Sequence, residues 1–188
     1  MRPAVFLDRD DTLIPNVTLP PPADPRPGWK PGDLSDPGRV ELLPGALPAC
    51  RKLHAAGFEL VVVTNQGCVA RGSATVDEVH AVCERLRELL VSECGTPLIR
   101  AIYFVPFHPT GTAPGFAREH PWRKPGPGML LQAAKDLGLD LAQSWLIGDA
   151  ARDCEAGVNA GLPAAHCLRC GPEGDYATVL DAAERVLG

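Results

Sequence analysis

Four short segments of this 188-residue chain carry side chains that could act together on one substrate. The first is Ala4-Val5-Phe6-Leu7-Asp8-Arg9-Asp10-Asp11-Thr12-Leu13, where Asp8 and Asp10 follow an apolar run. Two carboxylates two residues apart can bind a hard cation through oxygen. One can also attack an electrophile while the other moves protons. The second segment is Val61-Val62-Val63-Thr64-Asn65-Gln66-Gly67. A hydroxyl at the end of an apolar run can donate to a phosphoryl oxygen, and the next backbone N–H groups can point the same way. The third is Trp122-Arg123-Lys124-Pro125-Gly126-Pro127-Gly128-Met129, two adjacent cations before a helix. Lys is a compact point charge, and Arg is a planar fork suited to phosphate. The fourth is Trp145-Leu146-Ile147-Gly148-Asp149, followed by Asp153. Asp149 is the better metal-ligand candidate; Asp153 also reads as a helix N-cap. Taken singly, each segment has an ordinary structural reading: an acidic turn, a common turn, a surface basic pair, a cap.

Bringing them together requires strands that end on one edge. Apolar runs place strands at Ala4–Leu7, Glu59–Thr64, Arg100–Val105, Ser144–Ile147 and, more weakly, Ala164–Leu168. Helical periodicity covers Gly45–Ala56, Val76–Glu93, Gly128–Leu137 and Asp153–Ala160, with a closing helix near Ala177–Val186. Strands alternating with such helices predict an α/β fold, a Rossmann-like parallel sheet with helices on both faces. Right-handed crossovers put every strand's C-terminal end on the same edge, where ligands bind in open sheets. Each candidate residue lies in or beside the loop that follows such an end.

Pro15–Pro44 interrupts this rhythm with nine prolines. It is expected to be neither helix nor central strand. It springs from the site, so it is expected to fold over the crevice as a flap, with Trp29 and Lys30 as its contacts. A disordered insertion is the other option. A second Gly/Pro-rich loop, Pro106–Pro127, could wall the same crevice.

The order of the four segments resembles that of the haloacid dehalogenase (HAD) superfamily of phosphatases. Within it, the group of heptose bisphosphate phosphatases and histidinol-phosphatases is the most similar. The resemblance rests on Phe6-Leu7-Asp8-Arg9-Asp10-Asp11-Thr12-Leu13, on Val62 to Gly72, on Arg123-Lys124-Pro125-Gly126-Pro127-Gly128-Met129, and on Ile147-Gly148-Asp149. It spans residues 4 to about 162, the proline-rich stretch excepted. It implies one HAD-like domain over residues 1–188 without a large cap, and a Mg²⁺-dependent phosphomonoesterase. Asp8 would be the nucleophile that forms an aspartyl-phosphate, and Asp10 the acid and then the base. Mg²⁺ would sit on Asp8, the Asp10 backbone carbonyl and Asp149, with Asp153 orienting a water. Thr64, Asn65 and Lys124 would hold phosphoryl oxygens, and Arg123 the rest of the substrate. The general chemistry agrees: carboxylate and phosphate repel, so attack needs a cation and fixed donors.

Three departures bear on specificity. The family's Gly after the second Asp is Asp11 here, a residue that tolerates left-handed backbone. The heptose bisphosphate enzymes carry a small zinc loop of cysteines and histidine before the Arg-Lys pair. Here only His108 and His120 flank that stretch, too few for a tetrahedral site. No zinc is expected, and Phe107, Phe116 and Trp122 are expected to support the loop by packing. The Lys that often follows Gly-Asp in the subgroup is Ala150.

Net charge is −5, which gives no support to a nucleic-acid partner. No apolar run reaches the roughly 18 residues of a membrane span. No leader pattern opens the chain, so a cytoplasmic monomer acting on a small phosphorylated metabolite is expected. Seven cysteines are expected to be reduced and mostly buried, and the Cys167–Cys170 spacing has no second pair to make a zinc site. Three other readings compete: histidinol phosphate as substrate, a receiver-like phosphoacceptor module, and a non-hydrolytic binder of phosphorylated ligands.

Overall fold

A computed structural model describes all residues from Met1 to Gly188. Five strands, β1 (Ala4–Leu7), β2 (Glu59–Asn65), β3 (Ile99–Val105), β4 (Trp145–Gly148) and β5 (Cys167–Arg169), form one sheet in the order β3-β2-β1-β4-β5. Every pairing in it is parallel. The helices are α1 (Ala46–Ala55), α2 (Cys68–Arg71), α3 (Val76–Leu89), α4 (Gly128–Leu137), α5 (Ala151–Asn159) and α6 (Val179–Leu187).

The sheet is buried on both faces, which is why its strands read as continuous apolar runs. Side chains alternate across it. Val5, Leu7, Leu60 and Val62 pack toward α1 and α6, together with Val82 and Leu86 of α3. Ala4, Phe6, Val61 and Val63 pack the other way, against Met129, Leu130 and Ala133 of α4 and Ala156 of α5. Fully buried side chains such as Phe6 and Leu7 each contribute about 1.5–3 kcal/mol. Strand order reverses between β1 and β4, so the crevice lies beyond their C-terminal ends. Receiver-like folds have a different order, 2-1-3-4-5, and the receiver reading falls on that ground.

Most elements lie within two residues of their predicted bounds, and the larger differences have local causes. The stretch Ala164–Leu168 begins as a 3-10 turn, Ala164–His166, and only Cys167–Arg169 pairs with β4. Helix α3 stops at Leu89, four residues early, because the Leu90 carbonyl accepts from Leu98 and Val91 bridges Pro97. Helix α5 starts at Ala151, so Asp153 is the third helical residue rather than its cap.

The proline-rich stretch is packed onto the body: Leu34 and Val40 are buried in the larger core. It does hold one helical turn, Pro37–Arg39, correcting the expectation of none. Asp36 caps that turn through the Gly38 N–H, and Pro37 stands where a helix loses no hydrogen bond. No helix is long and apolar enough to cross a membrane.

Candidate active site

Asp8 directly follows β1, and its N–H donates to the Ile147 carbonyl of β4 (2.9 Å). Asp149 directly follows β4, and Asp153 lies in the first turn of α5. Carboxylate oxygens of all three lie within 4.8 Å of one another. Gly148 makes this possible: a Cβ there would sit 2.5 Å from Asp153 Oδ2. The Asp153 carboxylate also accepts from the Ala150 N–H (3.0 Å), which fixes the start of α5.

Lys124 is buried between Asp8 and Asp153. Its Nζ is 2.7 Å from Asp8 Oδ1 and 2.7 Å from Asp153 Oδ1, and it donates to the Val63 carbonyl (2.8 Å). Burial pulls this ammonium down, but the Asp8 and Asp153 charges outweigh it and leave Lys124 above its ordinary value. Three carboxylates against one ammonium leave negative charge in excess. Burial, then the charge of Asp8, raise both Asp149, to about 7, and Asp153. Asp149 Oδ1 is buried without a hydrogen-bond partner. An orphaned oxygen in an all-oxygen, net-negative donor set fits a hard divalent cation.

The Asp10 carboxylate turns away from this cluster. Its oxygens take hydrogen bonds from Arg9 Nε (2.9 Å), Arg9 Nη2 (3.1 Å) and Gln66 Nε2 (2.8 Å), with Thr64 Oγ1 at 3.5 Å. Asp10 therefore brings no side-chain oxygen to the cation position, leaving its backbone carbonyl as the donor expected there. Thr64 is buried at the end of β2, where its hydroxyl accepts from Gln66 Nε2 (2.8 Å). Asn65 clasps the backbone of Lys124: its Oδ1 accepts from the Lys124 N–H (3.0 Å), and its Nδ2 donates to the Lys124 carbonyl (3.1 Å). Expected to hold a phosphoryl oxygen, its carboxamide is already committed to placing the lysine.

All seven candidates, Asp8, Asp10, Thr64, Asn65, Arg123, Lys124 and Asp149, line one cavity of about 340 Å³. Arg71 and Arg152 line it too. Arg71 and Arg123 approach each other beside Gly67, where a Cβ would lie 2.9 and 3.6 Å from their Nη1 atoms. Burial, then the like charges of Arg152 and Arg71, lower Arg123. Arg152 also pulls Asp149 down, bringing a cation near the position where Ala150 offers none.

From the flap, Pro31, Gly32 and Asp33 reach the cavity, in place of the expected Trp29 and Lys30. Trp29 instead donates its Nε1–H to the Asp33 carbonyl (3.2 Å), bracing the turn that delivers Asp33. Asp33 pairs with Arg71 and accepts from Ser73 Oγ (2.6 Å). Asp11 holds a left-handed φ of 55°, as its residue type allows. Its carboxylate accepts from the Asn16 and Val17 N–H groups (2.8 and 3.2 Å), tying down the root of the flap.

The Pro106–Pro127 loop is built on rings. Phe107 stacks on His120 at 4.7 Å and on Phe116 at 5.7 Å, and Arg118 sits 4.1 Å over Phe107. Trp122 meets His120 edge-on at 5.9 Å. The Nδ1 atoms of His108 and His120 accept from the loop's own Thr110 and Trp122 N–H groups.

Further residues of the site carry weaker signals in the sequence. Arg9, Gln66 and Arg71 lie inside the recognised motifs without an assigned role. Asp33 lies in a segment with no periodicity to mark it.

Comparison with known proteins agrees with this geometry. A family model described as HAD-hydrolase-like matches residues 121–169. The D-glycero-beta-D-manno-heptose-1,7-bisphosphate 7-phosphatase of Mesorhizobium japonicum is 39% identical over 160 residues, covering 85% of this chain and 66% of that protein. The enzyme of the same name from Yersinia pestis is 36% identical over 169 residues, covering 90% and 81%. The crystal structure of a HAD-like phosphatase from Mesorhizobium loti superposes with a TM-score of 0.77 at 34% identity, covering 98% of this chain and 87% of that one. The D,D-heptose 1,7-bisphosphate phosphatase of B. bronchiseptica, crystallised with magnesium and phosphate, gives 0.73 at 26% identity, covering 98% of each chain.

Proposed function

The chain belongs to the HAD-like hydrolases and is a phosphatase, and we propose that it is a Mg²⁺-dependent phosphomonoesterase that uses Asp8 as nucleophile on a sugar bisphosphate such as heptose 1,7-bisphosphate. One observation carries the catalytic reading: Asp8, Asp149 and Asp153 converge around Lys124 at the sheet's switch point. Mg²⁺ on Asp8, Asp149 and the Asp10 carbonyl would supply the positive charge that lets two anions meet. Lys124 holds Asp8 Oδ1, which would leave the other oxygen free to attack phosphorus. A P–O bond forms to Asp8 while the bond to the leaving oxygen breaks, and that oxygen takes a proton from Asp10. Water then attacks the acyl phosphate, gives its proton to Asp10, and frees Asp8 and inorganic phosphate.

The substrate reading rests on the names of the relatives and on charge. Arg71, Arg123 and Arg152 share the cavity, and Asp33 pairs with Arg71. A second phosphate beyond the reacting one suits the remaining guanidinium forks.

Asp8→Asn tests the nucleophile: we expect turnover to fall by about 10³-fold or more with the unfolding midpoint retained. A variant with wild-type rates removes the assignment. A panel of heptose 1,7-bisphosphate, histidinol phosphate and p-nitrophenyl phosphate, each with Mg²⁺, tests the substrate. The highest kcat/KM is expected on the bisphosphate.

A further inference from the structure

Arg9 lies between the two aspartates of the first motif, fully buried, and no step above uses it. Its guanidinium forks onto Asp10, with Nε 2.9 Å from Oδ1 and Nη2 3.1 Å from Oδ2. The same Nη2 donates to Gln66 Oε1 (2.9 Å). Gln66 completes the arrangement by donating to Asp10 Oδ2 (2.8 Å) and Thr64 Oγ1 (2.8 Å). The remaining nitrogen, Nη1, faces the thiol of Cys83 on α3 at 3.9 Å, in apolar surroundings. Asp10 is the carboxylate with which Arg9 forms its salt bridge.

A buried cation is costly to hold, and a well-packed apolar side chain of the same size fills such a space as well or better. Its use must then lie in what it does to Asp10. We infer that Arg9 and Gln66 are positioning residues that fix the carboxyl group of Asp10 where it meets the leaving-group oxygen. An unheld Asp side chain would swing toward the cation position beside Asp8 and Asp149 or into water. The fork holds both of its oxygens, and Gln66 holds one of them as well. Orientation is thereby set before substrate arrives. The inference rests on the acid–base role proposed for Asp10.

The test uses two leaving groups. p-Nitrophenolate departs without a proton, whereas the alkoxide of a sugar or amino alcohol needs one. kcat/KM reports the steps up to departure of the leaving group. A misplaced Asp10 therefore lowers kcat/KM for an alkyl phosphate more than for p-nitrophenyl phosphate. Hydrolysis of the acyl phosphate needs Asp10 as base with either substrate, so kcat falls for both. Arg9→Lys keeps the charge but loses the fork. We expect it to raise the ratio of kcat/KM for p-nitrophenyl phosphate over the fastest alkyl phosphate of the panel by about tenfold or more. A burst of p-nitrophenol approaching one equivalent per chain is expected with it. Gln66→Met should move the ratio the same way by a few-fold, and it decides alone if Arg9→Lys does not fold. A purely structural role lowers both substrates together, so an unchanged ratio in the folded variants overturns the inference. Asp10→Asn separates the two layers. If it shifts the ratio and Arg9→Lys does not, the positioning role is lost; if it leaves the ratio unchanged, the acid–base reading is lost with it.

Discussion

Asp149 gives the metal-free protein a specific pH response. Burial, and then the charges of Asp8 and Asp153, push it up to about 7. An acid raised in the native state holds its proton longer than in the unfolded chain. Between the ordinary carboxylate range and about pH 7 the native state binds more protons, so stability falls as pH rises through that window. Asp153 is raised as well and adds in the same direction. In chelator, the denaturant midpoint should be higher at about pH 5 than at about pH 8. The proposed Mg²⁺ would bind the ionised form, so its stabilising effect should grow across the same range. Asp149→Asn should flatten the metal-free fall and abolish the Mg²⁺ response. Burial lowers His108 and His120, which works against this fall, so the comparison with Asp149→Asn isolates the carboxylate: a pH response unchanged in that variant would remove Asp149 as its source. At this scale the sequence was legible where a residue type has few uses. Carboxylates at strand ends and a lysine in the loop before α4 pointed to a site, and all of them line it. Asp153 was half legible: it does secure the start of α5, but its contact with Lys124 depends on the bare backbone of Gly148, which spacing cannot reveal. Arg9 was illegible because arginine is almost always exposed, and nothing local says that this one is buried.

Periodicity served the sheet well, since strands buried on both faces are continuous apolar runs. It served helix ends poorly. Leu89, Leu90 and Val91 continue the apolar pattern of α3, but the chain leaves the helix to meet Leu98 and Pro97. The Pro106–Pro127 loop was legible in kind, because Phe107, Phe116 and Trp122 within it imply packing. Its stacking partners were not: the Phe107–His120 and Arg118–Phe107 contacts are made by the loop's fold. Phe107 lies at the centre of this stack, and Arg123 donates to its carbonyl (3.4 Å). Each aromatic pair contributes about 0.5–1.5 kcal/mol beyond area burial, so the two stacking pairs lost in Phe107→Ala should cost roughly 1–3 kcal/mol, with the lost burial of the ring added to that. Because the loop carries Arg123, KM for the bisphosphate should rise more than kcat falls. A zinc-selective chelator in excess Mg²⁺ should leave both activity and the melting temperature unchanged. About one tightly bound zinc per chain by elemental analysis would contradict a ring-supported loop.

The whole molecule closes its site with a segment that the periodic elements do not include. Prolines remove the N–H groups and the hydrophobic rhythm from residues 15–44, so nothing local fixes their path. The path is set by distant partners: Leu34 and Val40 in the core, Arg26 on Glu78 (2.6 Å), and Asp33 on Arg71 and Ser73. Gly28, at φ +82°, passes so close to α2 that a Cβ would lie 2.2 Å from the Arg71 carbonyl. The exposed Arg26–Glu78 pair adds little. The Asp33 carboxylate is nearly buried, at 6% exposure, so it is the contact that both holds the flap and aims Arg71 into the cavity. Removing it leaves the Arg71 guanidinium without its carboxylate partner, which costs about 1–3 kcal/mol locally. Asp33→Ala should therefore open the flap without unfolding the sheet. Chymotryptic cleavage after Trp29 should quicken several-fold while the global unfolding midpoint moves little, because cleavage follows local opening. KM for a bisphosphate should rise, since Arg71 is no longer held, and p-nitrophenyl phosphate, which lacks the second phosphate, should be affected less. If cleavage quickens and KM does not change, the flap is a cover that takes no part in recognition. If neither changes, Leu34 and Val40 alone hold the segment in place, and Asp33 serves only to balance a charge.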